Sequence, residues 1–142
     1  MVRKEMSEME GYFKDEFKKV TSFTLTPMYI QCIKKLSTKI YVEDQGYVAT
    51  TLRRIMVEEG LNIMTSKRID DKLWKETKRV EDTDVLVVKI NDKIRKLIQE
   101  VALIYFASRS HFARYAILRI FYKYFPEEEI GKAKVVSLGK LF

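Results

Sequence analysis

The chain has 142 residues, which fits one domain or two very small ones and excludes a large multidomain enzyme. Apolar residues make up 46% and charged residues 33%, with five Gly and two Pro, so the composition is that of a folded, helix-rich protein and not a disordered one. The formal charge of +7 points toward a polyanionic partner or an anionic surface.

No apolar run approaches the roughly 18 residues of a membrane span, and the first twenty residues are charged throughout, unlike a signal peptide. The expectation is a soluble, intracellular protein with no membrane partner. One cysteine, Cys32, cannot close an internal disulfide, and one histidine, His111, cannot build a multi-ligand metal site with it. With no Gly-rich phosphate loop either, the chain is read as a non-enzyme that needs no cofactor. The positive charge is local: residues 84–125 hold eight Lys and Arg against three acids, while residues 1–19 and 126–142 are balanced. A concentrated excess of this kind suits a binding surface.

In chain order, residues 5–18 place Met6, Met9, Phe13 and Phe17 at helical spacing among charges, which predicts an amphipathic first helix. Residues 20–26 alternate and are rich in β-branched side chains, with Phe23 and Leu25 on one side and Ser22 and Thr24 on the other, so they read as a strand. Thr26 then Pro27 starts a helix that buries Ile30, Ile33, Leu36 and Ile40. After a break at 43–46, a second helix runs over about 47–59 and ends at Gly60. Residues 61–83, with Ile69, Leu73, Trp74, Thr77 and Val80, predict a connecting helix with one apolar side.

Residues 85–90 form a second strand, and Asn91 caps a helix with Asp92 in its first turn and Ile94, Ile98 and Val101 on its apolar face. Ser108 caps a further helix reaching Phe125, where Pro126 stops it. The order strand, helix, helix thus occurs twice, an internal duplication. The units are 20–60 and 84–125, with an N-terminal helix over 1–19, a linker over 61–83 and a tail over 126–142. A lone short strand leaves its backbone groups unpaired, so the two strands are expected to pair with each other, antiparallel, with helices behind them. Phe23, Leu25, Leu86, Val88 and Ile90 then face the helices, and Ser22, Thr24, Val87 and Lys89 face outward. A two-stranded ribbon of this width fits the major groove of B-form DNA.

In these residues the chain resembles the ribbon-helix-helix DNA-binding proteins. The run from Ser108 through Arg109, Ser110, His111, Phe112, Ala113, Arg114, Tyr115 and Ala116 to Ile117 looks like the family's second-helix signature. The first unit is similar more loosely, through 22–26 and 52–56, with an inter-helix segment about four residues longer and no serine before its second helix. Two such units in one chain resemble the tandem regulators of filamentous viruses infecting hyperthermophilic archaea. The resemblance implies a mainly α fold with a two-stranded antiparallel ribbon, the two units forming an intramolecular pseudo-dimer. It further implies that the ribbon reads bases through Ser22, Thr24, Val87 and Lys89. The second helix's amino terminus, with Ser108, Arg109, Ser110 and His111, would dock on a phosphate.

The expected function is a sequence-preferring transcription regulator that binds double-stranded DNA in the host cytoplasm and assembles there as a homo-oligomer. Contacts between chains would come from the first helix and from Val135, Val136, Leu138, Leu141 and Phe142 in the tail. The alternatives are an antitoxin whose tail neutralises a toxin and a non-specific architectural or virion DNA-binding protein. Trp74, Tyr105, Phe106, Phe112, Phe121 and Phe125 are read as core, Cys32 as packed between helices, and Arg114 as a partner of an acid or a support of the helix face.

Overall fold

Two strands that alternate apolar and polar side chains, each followed at once by an amphipathic helix, set the architecture. The computed structural model of the chain describes residues 8–40, 48–81 and 83–126. Met6, the break at 43–46 and the tail beyond Pro126 lie outside the described residues. The elements are β1 (Lys19–Leu25), α1 (Pro27–Ile40), α2 (Val48–Ser66), α3 (Asp71–Lys78), β2 (Asp84–Ile90), α4 (Asp92–Tyr105) and α5 (Arg109–Tyr124). None of these helices is long and apolar enough to cross a membrane.

β1 and β2 pair antiparallel from Lys19↔Ile90 to Leu25↔Asp84, with Ser22 opposite Val87 at the centre. Phe23, Leu25, Val88 and Ile90 are buried against the helices, and the opposite face is open. Strand and first helix have matching lengths in the two halves. β2 begins 65 residues after β1 (19 to 84) and α4 begins 65 residues after α1 (27 to 92).

α5 is the centre of the molecule. Residues 111–118 are all buried, as expected of a helix that is packed on every side, and it touches β1, α1, α2, α3 and α4. Tyr29, Ile33 and Leu36 of α1, Leu52 and Met56 of α2, and Ile94 and Val101 of α4 close the core around Phe112, Tyr115 and Ile117. Asn91 caps α4 by accepting from the Ile94 amide at 2.8 Å, and Asp70 caps α3 by accepting from the amides of Lys72 and Leu73. Cys32 is buried, and Trp74 packs against the core while its indole N–H donates to the Tyr105 carbonyl at 2.7 Å.

Three expectations are corrected. The segment over 5–18 is not a helix in its described part: only residues 8–11 are helical, and the chain then runs irregularly into β1. The side-chain amide of Asn91 donates to the carbonyls of Tyr12 and Asp15, which hold this strap against the start of α4 in place of helical bonds. α2 does not end at Gly60 but continues to Ser66; a Cβ at Gly60 would sit 3.2 Å from Leu97, so this glycine serves the close approach of α4 and not a helix stop. The stop is Lys67, in the left-handed region at φ 57°, whose amide donates back to the Ile63 carbonyl. Helix α3 therefore covers only 71–78 of the expected connecting segment.

Candidate nucleic-acid interface

The outward side chains of the ribbon form three cross-strand pairs: Val20 with Lys89, Ser22 with Val87, and Thr24 with Val85. Period-two alternation puts all six on one face. Ser22 and Lys89 are exposed and Thr24 is half-buried. Val20, Val85 and Val87 are 63%, 61% and 59% exposed, an unusual concentration of apolar surface for so small a face. Val20 and Val85 were not among the expected outward residues, although the alternation that selects Ser22 and Val87 also selects positions two residues away.

The open edge of β1 is lined by the amino terminus of α5. Ser108 caps that helix, its Oγ accepting from the His111 amide at 3.0 Å. The Ser110 Oγ accepts from the Thr24 amide at 2.8 Å, and the Arg109 guanidinium donates to the Thr21 Oγ1 at 3.2 Å. The helix start is thereby fixed beside the ribbon, with Ser108 and Arg109 exposed. By helix geometry the amides of Arg109 and Ser110 have no acceptor within the helix, and the dipole end they belong to favours an anion.

One expected site residue is elsewhere. His111 is fully buried and is neither a phosphate neighbour nor an exposed helix residue. Its Nδ1 accepts from the Ala107 amide at 3.1 Å, its Nε2–H donates to the Trp74 carbonyl at 2.9 Å, and Trp74 and Phe106 pack edge-on against the ring. Burial holds its pKa below the usual histidine range.

Among the described residues Arg114 pairs with no acid. It is buried and donates to three main-chain carbonyls, Thr24 at 2.8 Å, Thr77 at 2.7 Å and Lys78 at 2.9 Å. Two of these belong to the last turn of α3, where the helix dipole offers negative partial charge to a cation. On the other edge of the ribbon, Arg53 donates to the Lys89 carbonyl at 3.0 Å, and its guanidinium lies 4.2 Å from the centroid of Phe17. Arg54 stacks in the same way on Phe13 at 4.7 Å. The strap therefore flanks the β2 side of the ribbon, and the start of α5 flanks the β1 side.

The expected residues thus divide in two. Ser22, Thr24, Val87 and Lys89 share the outward face, and Ser108, Arg109 and Ser110 stand at its edge, whereas His111 belongs to the core. The gripping roles of Arg53 and Arg114 were not expected. No protein-family model matches the chain, and comparisons with curated proteins and with solved structures find none similar to it.

Proposed function

We propose that the chain is a sequence-preferring, double-stranded-DNA-binding transcription regulator, built as two ribbon-helix-helix units in one chain that form an intramolecular pseudo-dimer. The units are β1–α1–α2 and β2–α4–α5. Three relations support the pseudo-dimer. The offset of 65 residues carries β1 onto β2 and α1 onto α4. Under that offset Ser22 corresponds to Val87, and the two face each other at the ribbon centre, where a local two-fold axis would pass. Thr24 corresponds to Lys89, and their carbonyls are gripped by Arg114 and Arg53, equivalent positions on α5 and α2 at an offset of 61. The drop from 65 to 61 is the four extra residues before α2.

A single observation carries the DNA reading: a solvent-facing two-stranded ribbon lies beside a capped helix start whose first amides have no helical acceptor. A ribbon of this kind enters the major groove, and the helix start meets the adjacent phosphate. Phosphate contacts fix register, and the outward side chains select sequence. The covered span is short, so selectivity requires several chains assembled side by side on the duplex.

The test is selection of bound duplexes from a randomised pool, followed by titration of selected and random duplexes at fixed salt. A regulator binds the selected duplex about a thousandfold or more tightly over random DNA. A ratio below about tenfold makes the chain a non-specific architectural protein. Replacing Lys89 by Ala relaxes base preference at one position and costs about 1 to 3 kcal/mol. Binding isotherms that stay strictly one-to-one at all protein concentrations remove the side-by-side assembly.

A further inference from the structure

The three exposed valines are the feature of the ribbon that its reading by hydrogen bonds leaves unused. We propose that they recognise thymine methyl groups, and that the bound sequence is non-palindromic, with a guanine-preferring end at Lys89 and a thymine-rich end at Thr24 and Val85. The inference rests on the DNA-binding reading above and names the bases that the ribbon takes.

In the major groove every base edge offers hydrogen-bonding groups, and the only apolar group is the C5-methyl of thymine. A valine pressed onto guanine, adenine or cytosine covers a donor or an acceptor and gives nothing back. Pressed onto thymine it buries a methyl. Val20, Val85 and Val87, each about three-fifths exposed, have their side chains on the face that would meet base edges. The duplex is favoured as occupant of this apolar face by charge, because Lys89 lies within it and Arg109 stands at its edge.

The layout of the three pairs makes the face polar from end to end. Lys89 with Val20 lies at one end, Ser22 with Val87 at the centre and Thr24 with Val85 at the other. The ribbon's only cation among these six side chains is at one end, and that end can donate to guanine O6 or N7. Each end has one exposed valine, Val20 or Val85, and the opposite end differs in having Thr24, a methyl-bearing hydroxyl side chain suited to a thymine methyl, in place of the lysine. Under the proposed two-fold Val20 and Val85 are equivalent and identical, but the other reading side chains are not: Thr24 stands where the other strand has Lys89, and Ser22 where it has Val87. Lys89 and Val85 are four residues apart along β2, about 13 Å at 3.3 Å per residue, which spans about four base pairs.

The test starts from the duplex selected by the intact protein. Its thymines are replaced one at a time by deoxyuridine, which keeps the base pair and deletes the methyl. Thymine-methyl recognition predicts a loss of about fourfold per contacted methyl. With the guanine defined as the one whose replacement is felt by Lys89 and not by Lys89→Ala, the losses are expected beside it at Val20, about two base pairs away at Val87 and about four base pairs away at Val85 and Thr24. Val85→Ser, whose melting temperature should match that of the unchanged chain because the side chain is exposed, is expected to be indifferent to deoxyuridine at its own position. If the selected duplex binds tightly but tolerates every deoxyuridine, or if it is a palindrome, the inference falls while the DNA-binding reading stands. If no duplex is preferred over random DNA, both fall together.

Discussion

The guanidinium of Arg114 grips the main-chain carbonyl of Thr24 at 2.8 Å, and in the same act closes the last turn of α3 through Thr77 and Lys78. Arg53 makes the matching bond to the Lys89 carbonyl on the opposite edge, but its guanidinium lies under Phe17 at the margin of the fold. The two should therefore differ in cost. Arg114→Ala leaves three carbonyls without their donor in a buried site and is expected to destabilise by about 3 kcal/mol or more. Arg53→Ala loses an exposed bond to the Lys89 carbonyl, a long bond to the Thr50 hydroxyl at 3.3 Å and one cation–π contact, about 1 kcal/mol. Arg114→Lys recovers less than half of the loss, because an ammonium cannot reach three carbonyls in a fork. Urea denaturation of the three variants measures this order, and equal costs for Arg53→Ala and Arg114→Ala would refute it.

Glu59 carries a pH dependence. Its side chain is buried, with Asn62 donating to it at 3.4 Å and the Arg119 guanidinium 3.9 Å away as an ion pair, contacts too long to offset the lost hydration. Burial pushes its pKa up from 4.5 to about 7. Below pH 4.5 folded and unfolded chains are both protonated at this group, and nothing is lost. Between pH 4.5 and 7 the unfolded chain releases the proton first, so stability falls as pH rises, by about 3 kcal/mol once pH exceeds 7. Glu59→Gln removes that slope and is expected to be the more stable protein at pH 8. Thermal melts of both proteins at pH 5 and pH 8 decide the matter, and a variant less stable at pH 8 would overturn the assignment.

Much of the fold was legible because local and tertiary signals agreed. Alternation from Val20 to Leu25 and from Val85 to Ile90, with Asn91 and Ser108 as caps, fixes both strands and the starts of α4 and α5 without reference to the rest of the chain. Where they disagreed, tertiary contacts prevailed. Met9, Phe13 and Phe17 keep helical spacing, yet Gly11 weakens a helix there, and Asn91 takes the Tyr12 and Asp15 carbonyls. Gly60 has the identity of a helix stop and serves as a clearance for Leu97, while Lys67 accepts the left-handed backbone that a glycine adopts with less strain. His111, polar and near a helix start, looks solvent-facing by local pattern. Only the positions of Trp74 and Phe106, distant or reversed in sequence, enclose it.

His111 gives a second pH dependence, of opposite sign. The neutral ring, protonated on Nε2, matches both of its partners, since Nδ1 must accept from the Ala107 amide. A proton on Nδ1 would set two donors against each other in a buried site. With the folded pKa held below the unfolded value near 6.5, this stabilisation is complete above that pH. It is lost as pH falls below about 6.5, where the unfolded chain takes up the proton first. His111→Gln should lower stability at pH 7.5 by about 1 to 3 kcal/mol and flatten the decline between pH 6.5 and pH 5. The effect is read as the difference between variant and unchanged chain across pH, because Glu59 slopes the other way in part of the same window. A variant with an unaltered decline would show that another group is responsible.

Under the proposed DNA-binding function, Arg109 is the residue that would separate phosphate contact from base reading. Its guanidinium is tethered by one bond, to the Thr21 Oγ1 at 3.2 Å, and the residue is exposed at the start of α5 beside amides that have no helical acceptor. Under the proposed DNA-binding function, a phosphate drawn to that helix start would meet the remaining guanidinium donors. Arg109→Ala is expected to weaken selected and random duplexes by the same factor and to lower the slope of log K against log salt by about one. It should leave the fold nearly intact, since among the described residues it gives up one part-buried bond of 3.2 Å. Ser110→Ala behaves differently, because it removes the acceptor of the Thr24 amide and costs about 1 kcal/mol of folding stability. Titrations of both variants at several salt concentrations distinguish the two roles. If Arg109→Ala shifts base preference while the salt slope stays fixed, its side chain reaches into the groove, and the phosphate contact must be assigned to the helix amides alone.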